Sequence, residues 1–216
     1  MSNYLGSLKR QLVCTVFAGG LALSLGLGFA VAGEQPTSDT IVNSLTPKHT
    51  TRSLSVTPAE AAKQAEDAKF INDIRKRELT RSLSIGEREK VAVIAKDKPK
   101  IDLEINFDFN SDQISKSAMP TVEALAKALN NSTIKGSTFM LAGYTDAKGS
   151  EDYNQGLSER RAAAVKKILV DKYGITTDKL MTVGYGETHL KNESNPNDPS
   201  NRRVAVVNME SNVAGK

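Results

Sequence analysis

The stretch LAGYTDAKGSEDYNQGLSERRAAAV, residues 141–165, decides the fold. It starts as an apolar run, breaks at a short turn holding Asp146 and Gly149, and continues as a helix-forming segment. Ser150 suits the N-cap of that helix, and Glu151 and Asp152 suit the positive end of its dipole. Strong helix formers carry it to about Tyr173, where Gly174 is placed as a stop. A strand that ends in a turn and feeds a long helix is the building unit of an α/β sandwich.

One residue in this helix is out of place. On a wheel of about 100° per residue with Leu157 at the origin, Arg161 falls at ~40°, between Ile168 at ~20° and Val165 at ~80°. Its neighbour Arg160 falls at ~300°, outside the apolar arc. Arg160 is therefore expected at the surface and Arg161 at least partly buried. A buried guanidinium left without an anion costs several kcal/mol. Asp146 is the candidate anion, because it ends a strand and precedes a helix, where open α/β sheets present ligands. Arg161 lies ~16 Å along the axis from Ser150, its side chain leans back by ~6 Å, and the turn spans up to ~13 Å. Two readings fit this geometry about equally. Asp146 and Arg161 form an internal salt bridge that holds the turn, or they stand apart as the two arms of a site for a zwitterion. Arginine offers a planar fork to a carboxylate, and aspartate accepts from an ammonium.

Working outward, IDLEINFDFN (101–110) alternates apolar and polar residues without a break, which predicts a strand with one buried face. Pro120 opens a helix with Val122, Leu125 and Leu129 on one face, running to about Asn130. STFMLAGY (137–144) reads as a central strand, LMTVGYG (180–186) as a third and VAVVNM (204–209) as a fourth. The expected order is β-α-β-α-β-loop-β, an α/β (α+β) sandwich over 101–212 with helices on one face of a small sheet. The polar segment between the last two strands is long enough to be functional.

The N-terminal part reads differently. Lys9 and Arg10 precede an apolar run from Leu12 to Ala32 that ends in an A-x-A pattern, as in a signal peptide cut after Ala32. The alternative is a retained anchor, since the run is just long enough to span a bilayer. Cys14 lies inside the run, preceded by Val13, and does not match a lipoprotein signal. Residues 33–57 read as a flexible linker. Thr57, Pro58 and Glu60 form a helix start, followed by a helix over 59–79 with a thin apolar stripe. SIGEREKVAVIAK supplies a second short helix. Residues 33–100 together are expected to form an arm. TRSLSV (51–56) recurs as TRSLSI (80–85), which is too few copies for a repeat architecture.

The net charge of +4 excludes a strongly basic nucleic-acid binder. His49 and His189 are the only histidines, and neither sits near a paired Ser or Cys. No Cys/His cluster has metal-ligand spacing, and Gly184-Tyr185-Gly186 is too short for a dinucleotide loop. No cofactor, metal or catalytic residue is expected.

At these residues the sequence resembles the OmpA-like domain, the peptidoglycan-binding module of Gram-negative envelope proteins. Gly143-Tyr144-Thr145-Asp146, Gly149, Tyr153-Asn154, Leu157-Ser158 and Arg160-Arg161-Ala162 resemble its central signature. Asn201-Arg202-Arg203-Val204 resembles its closing one, and Phe107-Asp108-Phe109-Asn110-Ser111 its opening strand. The resemblance implies non-enzymatic binding of the meso-diaminopimelate of peptidoglycan stem peptides. Asp146 would take the ammonium and Arg161 the carboxylate, with Asn110, Thr145, Asn154 and Arg203 lining the pocket. Tyr144 departs from the family, which usually has His there. The implied setting is the periplasm, in association with the outer membrane, the arm reaching a membrane or an envelope protein. Alternative roles are a wall hydrolase or its activator, or a component of an inner-membrane complex held by an uncleaved N-terminal helix.

Overall fold

Two strands of this chain, FMLAG and VAVVN, are apolar at every position but Asn208, and each is buried along its whole length. Such strands need cover on both faces, and the helices provide it. The computed structural model describes residues 35–47, 57–77, 82–108 and 111–210. The expected leader, the first TRSLS copy and Asn110 lie outside the described residues.

The elements are α1 (Ser38–Leu45), α2 (Pro58–Arg77), α3 (Ile85–Ala95), β1 (Lys100–Leu103), α4 (Met119–Leu129), β2 (Phe139–Gly143), α5 (Glu151–Asp171), β3 (Leu180–Gly184) and β4 (Val204–Asn208). The sheet order is β1-β4-β2-β3. β4 runs antiparallel to both of its neighbours, and β2 and β3 are parallel. The expected β-α-β-α-β-loop-β order is therefore present from β1 onward.

The alternation of side chains divides the core in two. Leu103, Phe139, Leu141, Leu180, Val204 and Val206 face α1, α4 and α5. Met140, Ala142, Met181, Val183, Ala205 and Val207 face α2 and α3. The expectation of helices on one face is corrected here, because a sheet this apolar on both sides leaves neither face for water.

The N-terminal helices are likewise not a free arm. Thr37 caps α1 by accepting from the Thr40 amide, and Ile41, Val42 and Leu45 are buried against α4 and β1. Asn208, fully buried on β4, donates from Nδ2 to the Leu45 carbonyl at 2.9 Å and so closes the end of α1. The Ser, Thr and Pro content of 33–57 suggests a linker, and it masks the single amphipathic pair of turns that forms α1. Thr57 and Glu60 form the expected capping box at the start of α2. Only Ile71 and Ile74 of α2 are buried, and its first turns are exposed. Ser84 and Glu87 form a second capping box at α3, and Leu83 of the second TRSLS copy is buried beneath it.

The first strand is shorter than its alternation predicted. β1 ends at Leu103, and beyond it the chain leaves the sheet and forms a small hairpin marked by the isolated antiparallel Phe107–Ile114 bridge. Asp108 N donates to Gln113 O at 2.9 Å, and Ser115 N to Asn106 O at 3.0 Å. Alternation continues through the hairpin, so the pattern alone could not mark where the strand left the sheet.

Candidate functional site

Helix α5 lies unusually close to the ends of β2 and β3, and two glycines allow it. A Cβ on Gly143 would stand 2.3 Å from the Ser158 carbonyl oxygen. One on Gly184 would stand 2.6 Å from both the Ser158 hydroxyl and the Glu159 amide. The Ser158 hydroxyl, buried in the seam, accepts from the Gly186 amide at 2.8 Å and donates to the Gln155 carbonyl. This contact sets α5 directly beside the turn that carries Asp146.

Beyond the strand ends, three chain segments are tied together. Tyr144 N donates to Arg203 O, Thr145 N to Gly186 O, and Tyr185 N to Gly143 O. Asn154, buried on α5, donates from Nδ2 to the carbonyls of Asp146 and Lys148 and to Glu187 Oε2 at 2.6 Å. Its amide therefore clamps the turn onto the helix. The long loop before β4 is built around a second buried amide. Asn201 Nδ2 donates to the carbonyls of Asn192, Asn195 and Pro196, while its Oδ1 accepts from Asn192 N at 2.8 Å. Ala147 N donates in turn to Pro196 O, which ties this loop to the Asp146 turn.

Together with the hairpin, these segments enclose a cleft of about 530 Å³. Its charged lining is mixed: Asp108 and Asp146 against Lys148, Arg161 and Arg202. Ile105, Phe107 and Leu157 give it an apolar floor.

Arg161 is half-buried and Arg160 exposed, as the wheel predicts. The Arg161 guanidinium lies 4.8 Å from the centre of the Phe107 ring, and its Nε donates to Ser111 O at 3.3 Å. Burial pulls its pKa below the ordinary arginine value, with Asp146 opposing that shift only weakly. Among the described residues no carboxylate comes within ion-pair distance of it.

Asp146 is buried, and its Oδ2 accepts from Arg202 Nη1 at 2.8 Å. No described residue donates to its Oδ1. Thr145 is 1% exposed, and its hydroxyl has no hydrogen-bond partner among the described residues. Among the described residues, the cleft thus holds a guanidinium without an anion, a carboxylate with one open oxygen, and an orphan hydroxyl.

Of the expected site residues, Asp146, Arg161, Thr145 and Asn154 line this one cleft. Asn110 lies outside the described residues, although Asp108 and Ser111 on either side of it face the cleft or contact Arg161. Arg203 does not line the cleft, and its expected place there is corrected. It shares the strand parity of Ala205 and Val207 and lies on the opposite face of the sheet, 3.8 Å over the Tyr144 ring. Arg202, not among the expected site residues, shares the parity of Val204 and Val206 and enters the cleft instead. Counting back from the apolar alternation of β4 would have distinguished the two.

Comparison with known proteins bears on this region. The model of the OmpA family matches residues 106–203. Outer membrane porin F of Pseudomonas aeruginosa is 34% identical over 107 residues, covering 49% of this chain and 30% of the relative. Outer membrane protein A of Escherichia fergusonii is 36% identical over 104 residues, covering 48% of this chain and 42% of the relative. The chain thus spans less than half the length of either relative. Among solved structures, the OmpA-like domain of FopA1 from Francisella tularensis is 24% identical, with a TM-score of 0.44, over 50% of this chain and 70% of that one. The family match runs from the hairpin to the arginine pair that precedes β4, through every segment that walls the cleft; residues 106–203 form a domain of the OmpA family.

Proposed function

We propose that this domain binds peptidoglycan non-covalently by gripping the zwitterionic end of the meso-diaminopimelate side chain, and so tethers the cell envelope to the wall. The observation that carries the reading is the Arg161 guanidinium. It is half-buried at the cleft with no carboxylate partner among the described residues, and the buried Asp146 lines the same cleft. A ligand carboxylate would supply the missing anion through a charge-assisted fork. The ligand ammonium would take Asp146 Oδ1, with the Thr145 hydroxyl as a further acceptor. Both charged ends of one amino acid are thereby satisfied within one cleft, and no bond is made or broken.

The named relatives are outer-membrane proteins, which supports an envelope setting for this chain, with the cleft in the periplasm. A single such contact is small and partly wet, so its affinity is modest. Many copies on one wall raise the avidity without any new contact.

Pull-down with purified sacculi tests the reading. The parent protein is retained, and free meso-diaminopimelic acid competes it off. Asp146→Ala and Arg161→Ala lose retention, while Arg160→Ala, on the exposed side of α5, keeps it. Retention by both Asp146→Ala and Arg161→Ala would refute the assignment. Release of soluble fragments from the sacculi would point to hydrolysis.

A further inference from the structure

Arg203 and Tyr144 stand behind the cleft, on the other side of the sheet, where no ligand in the cleft reaches them. Their contacts are dense for residues that flank strand ends. The Arg203 side chain is 9% exposed, and its guanidinium lies 3.8 Å over the Tyr144 ring. Its Nη2 donates to His189 O at 3.1 Å and its Nη1 to Asn201 O at 3.4 Å. Its Nε lies 3.4 Å from Asp102 Oδ1, an electrostatic contact without hydrogen-bond geometry. The stack continues inward. Tyr144 lies nearly parallel to Tyr185 at 5.3 Å, Tyr185 meets the His189 ring edge-on at 5.4 Å, and its hydroxyl donates to Arg88 O on α3 at 3.3 Å.

One guanidinium thus touches β1, the turn after β2 and both ends of the long loop. Its chain neighbour Arg202 points the opposite way, onto Asp146. Tyr144 in turn is two residues from Asp146, and its amide donates to the Arg203 carbonyl at 3.0 Å. Because side chains alternate along a strand, holding Arg203 on one face turns Arg202 to the other. Asp146 lies past the end of β2, in the turn that Tyr144 begins, so the backbone fixed at Tyr144 sets where that turn starts. We infer that Arg203 and Tyr144 are positioning residues for the cleft: their stack sets the placement of Asp146 and Arg202 without touching the ligand. The inference rests on the ligand reading above, and it assigns the second arginine of the pair a role distinct from the first.

A planar face is what the stack requires at both positions. Lys at 203 keeps the charge toward Asp102 but cannot lie flat on the ring or reach two carbonyls at once. Phe at 144 keeps the ring, whereas Leu keeps bulk without a π face. The test is titration calorimetry of the full chain with meso-diaminopimelic acid as the probe. Arg203→Lys and Tyr144→Leu weaken binding about tenfold, and Tyr144→Phe stays within about twofold of the parent. Leu129→Ala is the control for lost stability alone. It lies in the core where α4 hands on to the start of β2, at the other end of the sheet, and also binds within about twofold. Arg203→Lys and Tyr144→Leu binding as the parent does would overturn the inference. A second readout needs no ligand: Arg203→Lys shifts the backbone amide resonances of Asp146 and Ala147. Unmoved amides would overturn the positioning role even where the probe binds. If the parent ignores the probe while Arg203→Lys still shifts those amides, the ligand reading is overturned and the geometry upheld.

Discussion

Arg161 offers a test in which binding falls while stability holds. Consider Arg161→Leu. The guanidinium is half-buried, makes one weak hydrogen bond to Ser111 O at 3.3 Å, and rests on the Phe107 ring. It has no carboxylate partner among the described residues, so its removal breaks no ion pair. Leucine instead extends the apolar floor of Ile105, Phe107 and Leu157. The lost hydrogen bond costs about 0.5–1.5 kcal/mol, and relief of the buried charge offsets about as much. Unfolding in urea should therefore give a free energy within about 1 kcal/mol of the parent, with an unchanged m-value. Binding behaves otherwise. Hydrogen bonds to a charged group contribute about 1.5–3 kcal/mol, and each 1.4 kcal/mol is about tenfold in affinity. Arg161→Leu should thus weaken meso-diaminopimelate binding by about 10- to 150-fold in calorimetry. A variant destabilised by 2 kcal/mol or more that binds normally would refute the reasoning. It would make Arg161 a structural cation and leave the cleft without its anion-binding arm.

Three further outcomes follow from the fold. Leu45→Ala should lower unfolding stability by about 2–5 kcal/mol in denaturant titration, because Leu45 is fully buried in the α1–α4–β1 core; a cost near zero would return α1 to the status of linker. Gly143→Ala should cost about 1–3 kcal/mol and weaken ligand binding, because the new methyl meets the Ser158 backbone and lifts α5 from the Asp146 turn; crystallography or thermal unfolding checks it. Burial pushes the Tyr144 phenol up from 10.0 to about 12, against the lowering effect of Arg203. The unfolded chain then loses its proton first, so stability should be intact below pH 10 and fall as pH rises from there through about 12. Tyr144→Phe should flatten part of that slope, and phenolate absorbance during the titration reports the ionisation.

The order of elements from β1 to β4 was readable from period two at β1, short apolar runs at β2, β3 and β4, and a period of about 3.6 in α4 and α5. The two-sided cover was also encoded, in the unbroken apolar runs of β2 and β4, but periodicity alone does not say what supplies it. α2 buries only Ile71 and Ile74, and α1 spans just two turns, so neither stood out as a core helix. In the site, the wheel placed Arg161 and the chain position placed Asp146. Helix geometry fits a salt bridge between them and a gap equally well, and in the structure Asp146 pairs with Arg202 instead. That pairing depends on how the long loop folds, and the loop is held by Asn201 reaching three carbonyls from 5 to 9 residues away. No pattern of hydrophobicity records such a contact.

The Asn201 amide has a further consequence. By joining Asn192 to the approach of β4, it closes the segment between them into a small ring anchored at its base. Glu193 and Ser194 are exposed at the rim of that ring, between Asn192 and Asn195, both of which Asn201 holds. Length and charge at the rim are thereby uncoupled from the grip below, which leaves a surface beside the cleft that can be retuned toward different neighbours while the gripping chemistry stays fixed.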